Sequence, residues 1–295
     1  MANDKISLNA LIEEAEAAKL SLNAYLLPQI AAELEITEEE LLAKMAQMLK
    51  VMEEAAAYGL TGVRSHSGLT GGSALKLQNA AAQPGFNKLL GALATDAVTY
   101  ALAVSECNAA MGRIVAAPTA GAAGVLPGVL LALKKHCNLT EEQLARALVV
   151  AGQIGLVIAA RASLAGAVGG CQAECGSAAA MAAGAAVDAL GGTPAQAGTA
   201  VSIVFKNMLG LVCDPVAGLV EVPCIKRNGG AAVHALLAAE MALAGIGSFI
   251  PADEAIDAMK WVGDSMPCAL RETAGGGLAQ TPTALAWAKA WFERE

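Results

Sequence analysis

"TEEQLARALVVAGQIGLVIAAR", residues 140–161, decides whether this chain belongs in a bilayer or in a folded core. Thr140 stands where an N-cap would, followed by a helical pattern of apolar residues. The uncharged run between Arg146 and Arg161 is fourteen residues long, short of the roughly 20 that a membrane-crossing helix needs. A second uncharged run, from Ala189 to Phe205, is broken by Gly191, Gly192, Thr193 and Pro194, a turn followed by a fresh N-cap with proline in the first helical position. Both runs therefore read as buried helices of a globular fold, with no membrane partner expected.

Composition agrees with a large core. Of 295 residues 56% are hydrophobic, enough to bury an extensive interior in one or two domains. The formal charge of −8 and a pI near 5.0 leave no basic footprint for nucleic acid. The first residues lack the cationic, apolar and small-residue succession of a secretory leader, so export is not expected. Seven cysteines scattered through the chain (Cys107, Cys137, Cys171, Cys175, Cys213, Cys224 and Cys268) make an odd set unlike a disulfide scaffold. They read as reduced thiols, and the location as cytoplasmic.

The organisation is helical almost throughout. Thr37 and Glu40 form a capping-box pattern ahead of "LLAKMAQMLKVMEEA". Ala-, Gly- and Leu-rich helical segments are expected near 89–111, 125–136, 141–162, 175–190, 195–209, 230–246, 253–264 and 283–293. Runs of alternating β-branched residues are scarce, and only 3% of residues are aromatic. The expectation is an all-α fold, with residues 1–58 as a helical N-terminal lead and 59–295 as one helical catalytic domain with Gly-rich active-site loops.

Five loops carry the chemistry: 64–74, 112–128, 166–177, 210–224 and 266–282. Their glycines let backbone amides face an anion, and the hydroxyls of Ser67, Thr70 and Thr119 add polar contacts. None fits a dinucleotide fingerprint or a Walker A loop, because "SGLTGGSA" lacks the lysine and following hydroxyl. Cys171 lies forty-two positions before Cys213, and Cys224 eleven after it, each in a Gly- or Pro-containing stretch. Three such thiolates suit an iron–sulfur cluster with one iron open, a zinc site with an open fourth position, or simply three small buried core residues. Spacing alone does not choose among these.

The stretches "NAAMGRIVAAPTAGAAGVLPG", "GCQAECGSAAAMAAG", "LGLVCDPVAGLVEVPCIKRN" and "LRETAGGGLA" together resemble the α chain of the iron–sulfur-dependent L-serine dehydratases, in order from about residue 60 to about 280. The resemblance implies a lyase that converts L-serine to pyruvate and ammonia. It also implies a [4Fe–4S] cluster held by Cys171, Cys213 and Cys224, and no pyridoxal phosphate. Under that reading Ser67, Thr70, Gly71, Thr119, Ala120 and Gly121 are the candidates for gripping the substrate, and His66 and Lys206 are the candidate catalytic residues. Lys206, Lys226, Asp214 and Glu221 lie near the cysteines in sequence and are expected to make ion pairs or orient loops, with a lysine base requiring burial to lower its pKa.

Fused members of the family carry a second region with a Ser-rich motif and a histidine, and nothing like it occurs in this sequence. The resemblance therefore implies a separate β subunit, in a homo-oligomer of α chains or an α–β assembly. Cys175 and Cys268 fall outside the three-cysteine pattern. Cys175, one helical turn beyond Cys171, could close the site as a fourth ligand. Two other readings stay open: a cysteine desulfidase of the same superfamily, and a non-catalytic metal-binding or structural subunit.

Overall fold

The computed structural model describes residues 6–293. Thirteen α-helices appear among them: α1 (Leu8–Ala17), α2 (Leu22–Glu33), α3 (Glu38–Gly59), α4 (Ser73–Ala82), α5 (Gly91–Ala109), α6 (Val125–Cys137), α7 (Glu141–Arg161), α8 (Gly166–Gly169), α9 (Ser177–Ala189), α10 (Pro194–Met208), α11 (Cys224–Leu243), α12 (Ala252–Ser265) and α13 (Pro282–Phe292). A single π-helical turn, Gln172–Gly176, leads into α9. Extended pairing among the described residues is limited to two isolated bridges, Arg64 with Gly71 and Cys213 with Arg271. The all-α expectation is met.

Local sequence sets several helix starts. Thr37, Thr140 and Thr193 each form a reciprocal capping box, with Glu40, Gln143 and Gln196 respectively. These boxes satisfy backbone N–H groups that the first turn of a helix leaves without partners.

Helix α9 is the axis of the molecule. Of its 13 residues 12 are buried, nearly all of them Ala, Gly or Ser. A helix apolar on every side must be covered on every side, and α6, α7, α10 and α11 all pack on it. Small side chains allow backbones to approach closely, and the glycines mark where. A Cβ on Gly59 of α3 would lie 1.9 Å from the Ala103 carbonyl oxygen of α5, and one on Gly124 would lie 2.2 Å from that of Ala101. Helices α1 to α3 share the same continuous core as the rest.

Helix α7 requires a correction. By length and composition it qualifies as a membrane span, with a mean hydropathy of 1.6 in its most apolar window; counting only residues between the two arginines understated it. That window is 61% buried inside the fold, against α2, α3, α9 and α12.

Three further expectations changed. Helix α4 was not foreseen. Its N-cap, Gly72, offers no side chain, and its first amides instead donate to the buried Glu106 carboxylate, Ser73 N at 2.7 Å and Ala74 N at 3.3 Å. The stretch 166–177 is helical, not a loop. Helix α11 starts at Cys224, six residues ahead of the expected 230.

Gly59→Ala should therefore destabilise the chain by about 1–3 kcal/mol or more through overpacking. Gly230→Ala, in α11 with nothing within 4 Å of its would-be Cβ, should stabilise it by about 0.5–1 kcal/mol. Denaturant unfolding of the two variants checks both signs.

Candidate active site

Cys171, Cys213 and Cys224 come together from three parts of the chain. Cys171 opens the π-helical turn before α9, Cys213 lies in the segment after α10, and Cys224 is the first residue of α11. All three are at most 5% exposed. Their electrostatics show the proximity: Cys171 and Cys224 both raise Cys213, and Cys171 raises Cys224. Burial is the larger cause in both cases, pushing Cys224 up to about 12 and Cys213 further.

Cys171 shifts the other way. The Cys175 thiol donates to its sulfur and the Arg227 guanidinium stands nearby, and together they hold it below the ordinary thiol value against the opposing effect of burial. Cys175, wholly buried, is driven up as the donor of that pair. Its hydrogen bond is thus directed at Cys171.

Arg227 ties these segments together. It lies one turn after Cys224 on α11. Its Nη1 donates to the Val212 carbonyl at 2.7 Å, and its Nη2 lies 2.8 Å from Asp214 Oδ1. Burial works against its charge, but Cys171 and Asp214 outweigh burial. Asp214 Oδ2 accepts from the Leu278 amide at 2.7 Å, and Cys213 exchanges backbone hydrogen bonds with Leu270 and Glu272. The segments 212–214, 270–278 and α11 are therefore fixed to one another. Asn228, fully buried one turn from Cys224, donates to the carbonyls of Gly121 (2.7 Å) and Cys224 (2.9 Å) and accepts from the Gly124 amide (3.0 Å). It brings the 119–124 loop to the same place.

Glu174, which the sequence reading missed, sits among these groups. Its carboxyl is buried, accepts from Thr119 Oγ1 at 2.5 Å, and influences Cys171, Cys213 and Cys224 electrostatically. Burial raises it above the ordinary carboxylate range; the Thr119 hydrogen bond opposes this and the facing Glu272 adds to it. A Cβ on Gly121 would lie 2.7 Å from Glu174 Oε1, so glycine is needed for that approach. An open depression of about 610 Å³ is lined by Ala167, Val168, Gly218, Cys268, Arg271, Glu272 and Thr273, and so reaches Glu272 but none of the three thiols. A more apolar groove of about 330 Å³ between α2, α3, α7 and residues 115–118 contains none of the thiols.

The remaining sequence candidates divide. Ser67 and Thr70 donate their hydroxyls to Glu221, three residues before Cys224. Gly71 has φ 135°, and a Cβ there would lie 2.3 Å from the Val63 carbonyl oxygen. The Ala120 carbonyl accepts from Asn108 Nδ2 at 3.2 Å. His66 is exposed, with its ring edge-on to Trp291 of α13 at 5.8 Å. Lys206, also exposed, donates to Ser248 Oγ at 2.6 Å. Neither takes part in any contact that holds the cysteine segments together.

Cys213 and Cys224, raised by burial and by Cys171, cannot ionise beside it in a low-dielectric interior without a compensating cation. Cys213 Sγ takes no hydrogen bond from any described residue, and the backbone of α8 comes so close that a Cβ on Gly166 would lie 2.9 Å from it. Among the described residues no three His, Cys, Asp or Glu are placed around a single metal ion. A four-iron cluster makes no such demand, since each ligated iron takes its own cysteine sulfur. The donor set fits that group.

Comparison with known proteins agrees with this geometry. The family model described as serine dehydratase alpha chain matches residues 4–279. A Bacillus subtilis protein described as "Probable L-serine dehydratase, alpha chain" is 58% identical over 257 residues, covering 86% of this chain and 85% of its own length. The "L-serine dehydratase, alpha chain" of Peptoniphilus asaccharolyticus is 44% identical over 249 residues, 84% of each chain. The "L-serine dehydratase" of Streptomyces coelicolor is 42% identical over 277 residues, which make up 91% of this chain and 59% of that one. With its family model spanning nearly the whole sequence and two relatives matched over most of their length, the chain belongs to the serine dehydratase alpha chain family.

Proposed function

We propose that this chain is the α subunit of an L-serine dehydratase, which converts L-serine to pyruvate and ammonia without pyridoxal phosphate. It works with a separate β chain in the cytoplasm, where the seven free thiols suit a reducing environment. The observation that carries the reading is the burial of Cys171, Cys213 and Cys224 close enough for Cys171 to raise both of the others. These three would hold a [4Fe–4S] cluster. When bound, it would supply Lewis-acid activation of serine's β-hydroxyl as a leaving group. The Bacillus subtilis and Peptoniphilus asaccharolyticus relatives are both described as alpha chains, which favours a separate β chain.

The chain's own residues supply the rest. The Thr119 hydroxyl fixes Glu174 Oε1, and burial raises that carboxyl above the ordinary carboxylate range, which strengthens it as a proton acceptor. We assign Glu174 the α-proton in preference to His66 or Lys206, because it alone shares the volume of the three thiols. The backbone at 70–71 and 119–121 lines the same region and orients the substrate. Loss of the α-proton and of hydroxide leaves 2-aminoacrylate, which tautomerises to an imine and takes up water to give pyruvate and ammonia.

Cys213→Ser should abolish iron binding and pyruvate formation together, as read by iron analysis and a pyruvate assay under anaerobic conditions with the β chain present. Pyruvate formation at the wild-type rate in that variant contradicts the reading. Glu174→Gln should keep its iron while kcat falls by about 10²–10⁴.

The same substitution has a stability signature in the metal-free chain. A carboxyl whose pKa is raised on folding favours the folded state fully at low pH, and this contribution is lost as pH rises through the raised value. Thermal melts of wild type and Glu174→Gln should therefore separate as pH climbs from the unfolded carboxyl value of 4.5, with the variant the more stable at neutral pH.

A further inference from the structure

We infer that Glu221 is a positioning residue that fixes the polarity of the Ser67–Thr70 edge, making that edge the receptor for the substrate's α-ammonium group and not for its carboxylate. This rests on the dehydratase reading above. Glu221 is 8% exposed and pairs with no cation among the described residues. Its carboxylate instead accepts from Ser67 Oγ at 2.8 and 2.9 Å and from Thr70 Oγ1 at 2.7 Å. A hydroxyl has one hydrogen to give. With both directed at Glu221, neither hydroxyl has a hydrogen left for anything else; Ser67 Oγ also accepts from the Leu69 amide and lies 3.1 Å from Ser65 Oγ, so Thr70 Oγ1 and the Glu221 carboxylate give the edge its acceptor character.

A substrate carboxylate placed there would meet acceptors and repulsion, whereas an ammonium group would meet acceptors and attraction. The edge is also connected to the thiol-bearing region. Val220, next to Glu221, comes within 3.0 Å of the Cβ position of Gly121, and that same position is 2.7 Å from Glu174 Oε1. The Ser67–Thr70 edge is thus joined through residues 220–221 to the Thr119–Gly121 loop, to Glu174 and so to the thiols. The edge is held from both ends: Glu106 binds the amides of Ser73 and Ala74, and the Leu69 amide donates to Ser67 Oγ at 3.0 Å. Glu221 also anchors α11 through its carbonyl, which accepts from the Ile225 amide at 3.1 Å. One residue therefore connects the substrate edge to the first turn after Cys224.

The test compares Glu221→Gln and wild type as assembled enzymes. It uses L-serine as substrate and L-glycerate, which carries a hydroxyl in place of the ammonium, as competitor. A glutamine amide donates toward the hydroxyls and turns at least one of them into a donor facing the substrate. KM for L-serine should then rise about tenfold or more while kcat changes less, and L-glycerate should inhibit the variant better than wild type. Parallel shifts for the two compounds, or none, would overturn the polarity assignment.

A second arm needs no cluster. In the metal-free chain, hydrogen exchange of the amides at 65–73 should lose protection in Glu221→Ala, and unchanged protection there would overturn the clamp. A wild-type assembly that forms no pyruvate from L-serine would instead remove the dehydratase reading, and the ammonium assignment with it.

Discussion

One guanidinium reaches all three cysteine-bearing segments. Arg227 belongs to the helix that Cys224 begins, grips the backbone and carboxylate of the segment around Cys213, and sets its charge beside Cys171. A buried arginine is costly to desolvate unless its charge and its fork of donors are matched. Here Asp214, the Val212 carbonyl and the Cys171 sulfur match them. Because the partners come from different parts of the chain, satisfying one residue amounts to assembling the site. The thiols Cys213 and Cys224 are left protonated at ordinary pH in the absence of a cation, which is the state expected of ligands that deprotonate only on binding a metal.

Around that centre the chain uses acidic groups where its helices offer amides or its loops offer hydroxyls. Glu106 satisfies the start of α4, Glu221 gathers Ser67 and Thr70, and Glu174 takes Thr119. Each is buried, and none forms an ion pair among the described residues. The Ala- and Gly-rich packing makes this possible. Glycine at 121 and 166 lets a carboxyl and a sulfur stand within about 3 Å of where a Cβ would be, and the all-covered α9 gives the three segments a rigid floor. The result is an interior in which buried carboxyls and thiols lie close to one another on a rigid helical floor.

The helices were legible where local chemistry decided them. Thr37, Thr140 and Thr193 cap their helices through residues three positions on, which a reader of the sequence can see. Helix α4 was not legible, because its cap is the Glu106 carboxylate, 33 positions away. The true start of α11 was hidden by Pro223 and by Gly229 and Gly230, which read as breaks but pack within and beside a helix. At the site, the cysteines and the Gly-rich loops could be picked out from residue type and resemblance. Arg227, Asn228 and Glu174 could not, since their roles come from contacts across 15 to 107 positions. Ser67 and Thr70 were identified as polar contacts, but the direction of their hydrogens depends on Glu221, 154 and 151 residues away.

The central claim is that three sulfurs hold an inorganic cluster with one position open to an amino acid. Anaerobic reconstitution with ferrous iron and sulfide tests it most directly, with both counted per chain and the electron paramagnetic resonance spectrum of the reduced protein recorded before and after L-serine is added. The account predicts about four irons per chain and a spectrum that shifts when serine binds. Iron and sulfide at background levels in the folded chain, or a full complement whose spectrum ignores serine, would contradict it.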